Sequence, residues 1–198
     1  MTTRTHNKDS YTVSMKIEPL EDVSHETLKS LIVGYQANTF FDVTRSEKDS
    51  EMTFKLQLRD RPTLFNKQWN ITHEKAENYS KICKRDKLSI GVLDKRNNLV
   101  GIAIVEYRDW AKDAYLWELH VDADAQGKGI GRNILASVER NAKDRELRAI
   151  TLETQTSNPA AVGFYRSAGF NIDGMDIAHY SSNDLKQAEV ALFMRKSL

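Results

Sequence analysis

Apolar side chains recur along the chain at two spacings, and the switches between them mark out its elements. From Tyr11 to Ile17 every second residue is apolar (Tyr11, Val13, Met15, Ile17), the period of a strand. Leu28, Leu31, Ile32 and Tyr35 then fall at helical spacing behind Ser24, a residue type that caps helix starts, with Gly34 near the expected end. Residues 36–50 are polar and aperiodic and predict a loop or a poorly defined second helix. Met52, Phe54, Leu56 and Leu58 alternate with Thr53, Lys55, Gln57 and Arg59, which predicts a half-buried strand that stops before Pro62. The stretch from Ile71 to Lys87 is weakly helical, with Tyr79, Ile82 and Cys83 on its apolar side. Leu88–Leu93 and Leu99–Tyr107 read as strands joined through the turn residues 94–98.

The second half is more sharply patterned. Tyr115 to Asn133 reads as a strand, a polar turn, a glycine-rich loop and a helix start. Ile130, Ile134, Leu135 and Val138 share one side of a helix running to about Asp144. Ala149–Thr154 is a further strand. Asn158 and Pro159 suit the cap and first position of another helix, and Gly169 suits its end. Phe170–Ile172 and Glu189–Met194 close the chain as strands around a polar loop. Antiparallel strands followed by strand–helix–strand–helix–strand predict an α/β (α+β) fold, a mixed sheet with a β–α–β unit in its second half.

Composition narrows the setting. The chain has 198 residues, 40% hydrophobic and 29% charged, enough for a single domain over residues 11–198 behind a disordered tail at 1–10. A formal net charge of +1 gives no basic field for nucleic acid. The single cysteine, Cys83, excludes an internal disulfide and fits a reducing compartment. The first residues lack the apolar core of a signal peptide, and no stretch approaches the length of a membrane span. These features predict a cytoplasmic protein with no nucleic-acid or membrane partner; a homodimer is left open.

The glycine loop carries the first chemical hint. A helix start exposes N–H groups without intrahelical partners and carries partial positive charge, so it suits an anion. Gly127, Gly129 and Gly131 let backbone approach that anion closely, and Lys128 and Arg132 add charge, which points to a pyrophosphate. The P-loop pattern GxxxxGK[ST] is missing. A dinucleotide loop would need glycine where Arg132 stands and would open the first strand of its fold, although Glu153 could imitate the ribose-binding acid. A purely structural loop is the remaining alternative.

The spacing Gln126-x-x-Gly129-x-Gly131 between a strand and a helix resembles the acetyl-CoA signature of the GNAT acyltransferase superfamily, and Asn158, Phe164-Tyr165 and Ala168-Gly169-Phe170 extend the likeness. It covers residues 88–198 well and the first 87 only in the order of elements. LETQTSNPAAVGFYRSAGF, with Ile172, Asp176, Tyr180-Ser181 and residues 189–193, is similar to the streptothricin acetyltransferases, which acetylate an amine of the antibiotic's β-lysine chain. Met194-Arg195 and His179 depart from that family's pattern. The resemblance implies a GNAT fold, a sheet of about seven strands with helices on both faces, and acetyl-CoA as acetyl donor.

The strand 116–121 is read with Leu116, Glu118 and His120 on one face and Trp117, Leu119 and Val121 on the other. Two ionisable groups on one face of a central strand are unusual, which makes Glu118 the candidate base, directly or through water, and His120 the alternative. A half-solvated or ion-paired face would explain them equally simply. The resemblance implies that backbone amides of Leu119, His120 and Val121 pair with the pantetheine arm and stabilise the oxyanion. It implies that backbone N–H groups of Gln126, Gly127, Lys128, Gly129, Ile130, Gly131 and Arg132 take the pyrophosphate. It assigns Asn158 to the pantetheine or to a helix cap, and Tyr165 to protonating the thiolate or to packing beside Phe164. Around the last loop, where this superfamily borders its acceptor groove, Asp173, Asp176, Asp184 and Glu189 would suit a cationic acceptor; Asp176, Tyr180 and Glu189, with Glu118, are the expected acceptor contacts.

Other features read as structural. Cys83 has no catalytic histidine beside it in sequence, and His6, His25 and His73 are scattered, so neither a nucleophile nor a metal site is expected. Lys81, Lys84, Arg85 and Lys87 read as a solvated face. The expected activity is acetyl transfer from acetyl-CoA to a small, cationic, amine-bearing molecule, with streptothricin leading. A protein or peptide amine acetyltransferase and a non-catalytic acyl-CoA sensor are the alternatives.

Overall fold

A computed structural model describes residues 15–198. The expected tail and the beginning of the first strand, with Tyr11 and Val13, lie outside the described residues. The elements are β1 (Lys16–Pro19), α1 (His25–Leu31), β2 (Gly34–Lys48), β3 (Glu51–Gln68), α2 (His73–Asp86), β4 (Ile90–Leu93), β5 (Leu99–Arg108), β6 (Asp113–Val121), α3 (Ile130–Asp144), β7 (Ala149–Gln155), α4 (Pro159–Ser167), β8 (Asn171–Asp176), α5 (Asp184–Gln187) and β9 (Ala191–Ser197). A seven-stranded mixed sheet runs β1-β4-β5-β6-β7-β9-β8, and only β6 and β7 are parallel, joined through α3. The β–α–β unit and the mixed α/β sheet are as expected.

β5 shows how the layers are built. Alternate residues leave the strand on opposite faces. Ile102 and Ile104 enter one core with Leu28, Ile32, Ile71, Tyr79 and Cys83, from and beside α1 and α2. Ala103 and Val105 enter the other, with Ile130, Ile134, Leu135 and Val138 of α3. Helices therefore cover both faces, and the amphipathic stripe read for α3 is the one that is buried. Ser24 caps α1 by accepting from Thr27 N, and Asn158 caps α4 by accepting from Ala161 N. His25 and His73, which looked unrelated, stack with ring centroids 3.8 Å apart and tie the start of α1 to that of α2. Among the described residues no helix is long and apolar enough to cross a membrane.

Two readings of the first half are corrected. Residues 36–50 form neither loop nor helix: Gly34–Lys48 is one long strand paired antiparallel with β3 in a hairpin separate from the main sheet. Local polarity misled here because an exposed hairpin needs no buried face. Nor is β3 half buried or ended before Pro62. Met52 and Leu58 are 59% and 54% exposed, and the strand continues to Gln68. Pairing jumps from Thr39↔Asp60 to Ala37↔Phe65, so Pro62 sits in an irregularity where the ladder needs no N–H from it. Gly34 opens β2 rather than closing α1.

One bulge in the main sheet re-aims the central strand. Ile104 pairs with Glu118 but Val105 pairs with Leu116, so Trp117 is the extra residue of β6. Leu116 therefore enters the α3-side core, whereas Glu118 and His120, opposite Ile104 and Ile102, face the α2 side. The expectation that Leu116, Glu118 and His120 share a face is wrong for Leu116, because a strict period of two assumes an unbroken ladder. β6 and β7 pair only from Asp113↔Ala149 to Leu116↔Leu152, although β6 runs on to Val121 and β7 to Gln155. The strands part where the bulge adds twist.

Gly34 sets the base of the hairpin. Its φ is +109°, and a Cβ there would lie 1.9 Å from the carbonyl oxygen of Lys67. Gly34→Ala is expected to lower unfolding free energy by about 2 kcal/mol or more, read from the urea midpoint; an unchanged midpoint would show that the base of the hairpin shifts freely.

Candidate active site

The loop before α3 forms the first half of the site. Gly127 and Gly129 have φ of +74° and +79°, the left-handed conformation that favours glycine, and a Cβ on either would meet nothing within 4 Å. Gly131 is needed for space: its Cβ would stand 3.2 Å from Phe164 Cζ. No side chain caps α3, and its first turn closes with Asn133 N donating to Gly129 O at 3.1 Å. The N–H groups of Ile130, Gly131 and Arg132 thus begin the helix without intrahelical acceptors, beside a cleft of about 570 Å³. Gln126, Gly127, Gly129, Ile130, Gly131 and Arg132 line it, with Leu119 and Val121 from β6 and Asn158, Ala161, Phe164 and Tyr165 at α4. Gln126 Nε2 donates to Val121 O at 3.0 Å and stitches the loop to the strand end. Lys128 is not brought into the cleft; its ammonium donates to Asp124 O at 2.7 Å. Free N–H groups at one end and an apolar floor beyond them fit a diphosphate carrying a thin, partly apolar arm.

A second cleft of about 360 Å³ shares Leu119, Asn158, Ala161 and Tyr165 with the first. The two meet where β6 and β7 part. Tyr35 from the hairpin, Lys75 and Tyr79 from α2, Glu118 and His120 from β6, Glu153 and Gln155 from β7, and Tyr180 line it. Glu118 Oε1 accepts from the Tyr79 hydroxyl at 2.6 Å and lies 2.9 Å from Lys75 Nζ, and Oε2 is 2.8 Å from His120 Nε2. Burial opposes its ionisation, but the hydrogen bond and charge of His120, the Lys75 ammonium and the Tyr79 hydroxyl prevail and hold its pKa at about 2. Glu153 goes the other way: burial raises it, only partly offset by the Tyr180 hydroxyl and Gln155. Burial, then the negative charges of Glu118 and Glu153, push the Tyr165 phenol upward, so it stays protonated. Its ring is wedged between Phe164 and Phe170, at centroid distances of 5.3 and 5.6 Å.

Three expected acceptor contacts divide. Tyr180 lines the second cleft and donates to Glu153. Asp176 does not line it; it caps the next turn by accepting from Ala178 N at 2.9 Å and lies 3.7 Å from His179 Nδ1. Glu189 is engaged by Lys67 of the hairpin and does not line the cleft either. Both carboxylates were assigned by nearness to the last loop, and local turn chemistry and the hairpin claimed them instead. Lys75, Tyr79 and Tyr35 were missed because their place in the cleft depends on helix and hairpin docking that no local pattern encodes. Glu153 had a signal, the one ionisable residue on a strand that is largely buried, but was read only against a dinucleotide site. Among the described residues no group of three or more His, Cys, Asp or Glu is placed to hold a metal.

The site thus defines an α/β protein whose β–α–β strands part around a glycine loop, with a second cleft opening onto the same gap. The chain belongs to the acetyltransferase (GNAT) family, whose model matches residues 51–170. It is 32% identical over 97 residues to a streptothricin acetyltransferase of Streptomyces lavendulae, covering 49% of this chain and 51% of that one. It is 30% identical over 84 residues to a streptothricin acetyltransferase of Escherichia coli, covering 42% and 48%. The chain thus spans about half the length of the curated relatives it matches. In structure it resembles a nourseothricin acetyltransferase, with a TM-score of 0.74 over 92% of this chain and 98% of that one at 21% identity. A Bacillus anthracis str. Ames protein classed provisionally as a streptothricin acetyltransferase, solved with acetyl coenzyme A, gives 0.68 over 93% and 99% at 22% identity. At these identities the two structures establish a shared fold.

The depressed Glu118 ties stability to acid. A carboxyl whose folded pKa lies below its unfolded value stabilises the fold above the unfolded value, and loses that contribution as pH falls through the folded one. The window runs from the ordinary 4.5 down to about 2. Urea midpoints should fall across it by the equivalent of a few kcal/mol, and less in Glu118→Gln; equal losses in both proteins would refute the coupling.

Proposed function

We propose that the protein transfers an acetyl group from acetyl-CoA to a primary amine of a small cationic molecule, with streptothricin as the leading acceptor. The observation that carries this reading is the junction of the two clefts at Leu119, Asn158 and Tyr165: one cleft fits a diphosphate and its arm, and the other is walled by carboxylates and aromatic rings. The match to streptothricin acetyltransferases supports the choice of acceptor. Bound acetyl-CoA supplies an acyl group activated as a thioester. The N–H groups of Gly127 to Arg132 bind its diphosphate, that of Gln126 being taken by Ala123 O at 3.3 Å, and the free edge of Leu119–Val121 holds the pantetheine arm.

The proton-transfer roles follow from the environments. A base works best when its pKa approaches the working pH. Glu118, expected as that base, is held near 2 with both oxygens engaged, which suits holding a cation rather than taking a proton. Glu153, raised by burial and facing the same cleft, receives the acceptor's proton on its carboxylate. Tyr165, protonated and wedged at the junction, donates its hydroxyl proton to the departing sulfur. His120 lines the acceptor side and bonds Glu118, so it orients that carboxylate.

Thiol release from acetyl-CoA across streptothricin, aminoglycosides, polyamines and a lysine peptide tests the function. Release with streptothricin and little with the peptide is expected; the reverse would favour a peptide amine acetyltransferase, and binding of acetyl-CoA without release for any amine would make the protein a sensor. Tyr165→Phe should lower kcat about 10²-fold with little change in KM for acetyl-CoA; an unchanged kcat removes the acid role. Because a base must be deprotonated, the rate should fall on the acidic side, and Glu153→Gln should lower kcat and abolish that limb. If the limb instead survives Glu153→Gln and vanishes in Glu118→Gln, the base is Glu118.

A further inference from the structure

The acceptor cleft already contains an ammonium group, supplied by the chain itself. Lys75 Nζ lies 2.9 Å from Glu118 Oε1 and 5.3 Å from the centre of the Tyr79 ring. A carboxylate and an aromatic face together make a good seat for an alkylammonium ion. We propose that Glu118 and Tyr79 form a subsite for a second ammonium group of the acceptor, and that Lys75 fills this seat until the acceptor displaces it. The proposal rests on the acetyl-transfer function above and names the class of acceptor: a molecule with one amine to be acetylated and another cationic group that stays charged.

Position on α2 argues that Lys75 is not there to stabilise the helix. It lies in the first turn, where its N–H donates to the capping Thr72 Oγ1 at 3.1 Å. A cation in the first turn opposes the helix dipole. The side chain therefore spends local stability to place its charge in the cleft.

The two partners also differ in freedom. Glu118 is fixed by Tyr79 and His120 and its side chain is 14% exposed, whereas that of Lys75 is 41% exposed. The lysine can swing into solvent while the carboxylate stays in place. Exchanging one ammonium for another leaves Glu118 paired throughout, so the buried carboxylate is never bared. Glu153 remains across the cleft for the reacting amine. Two carboxylates in two environments thus separate holding a charge from taking a proton.

The test compares pentylamine with 1,5-diaminopentane as acceptors, using thiol release by the 198-residue wild type, Lys75→Met and Glu118→Gln. The wild type should favour the diamine in kcat/KM. Lys75→Met removes the competitor and should lower KM for the diamine about three- to fivefold, and by clearly less for the monoamine. Glu118→Gln should erase the preference for the diamine. Lys75→Arg keeps the charge and should leave the diamine KM high, which separates competition from any general disturbance of α2. A diamine KM that rises or stays the same in Lys75→Met overturns the subsite while leaving acetyl transfer intact. Absence of thiol release by the wild type with every amine, streptothricin included, overturns the function and the subsite with it.

Discussion

The parting of β6 and β7 is the constraint on which the site depends. The two strands are ladder partners for four residues and then separate. A sheet closed along its whole length would have filled the gap with its own hydrogen bonds. The extra residue at Trp117 gives a local cause, because a bulge bends and twists the strand that carries it. The same bulge sends Leu116 into the α3-side core and turns Glu118 and His120 toward α2. One irregularity thus opens the coenzyme edge and orients the acidic face of the acceptor cleft.

The carboxylates of that cleft show how packing divides labour between identical groups. Both are largely withdrawn from water, which alone would raise each pKa. Glu118 meets a lysine, an imidazole and a phenol, and the balance falls to its ionised form. Glu153 meets a phenol, a more distant imidazole at His179 and an amide, with no lysine, and burial prevails. Their charges bear in turn on Tyr165, whose phenol they help to keep protonated. The two carboxyl groups and the phenol therefore act on one another as one electrostatic unit.

Legibility in the sequence followed the locality of the physics. The α3 stripe, the caps at Ser24 and Asn158 and the glycine loop were readable because each depends on residues close in the chain. The loop's φ values bear this out at Gly127 and Gly129. The hairpin was not readable, because Gly34–Lys48 has polar residues on much of its length and is ordered by pairing with β3 and by docking of Phe41 on a distant part of the core. Lys75 and Tyr79 escaped for a related reason: one reads as helix surface and the other as core until α2 is docked on the sheet beside Glu118. Asp176 and Glu189, expected as acceptor contacts from their nearness in sequence to the last loop, are not among the residues that line the second cleft.

The acceptor side is thus the part of the protein built from distant segments. The coenzyme half comes from one continuous run, β6 through α4. The acceptor half adds Tyr35 from the hairpin, whose hydroxyl lies 2.6 Å from Ser157 Oγ, and Lys75 and Tyr79 from α2. The hairpin is tied to the body by Lys67 on Glu189 and by the Arg61 guanidinium, which donates to Ala188 O at 3.4 Å. These anchors are long-range contacts that can change without touching the glycine loop. A chain so arranged can keep its glycine-loop cleft constant while the hairpin and α2 vary one wall of the second cleft.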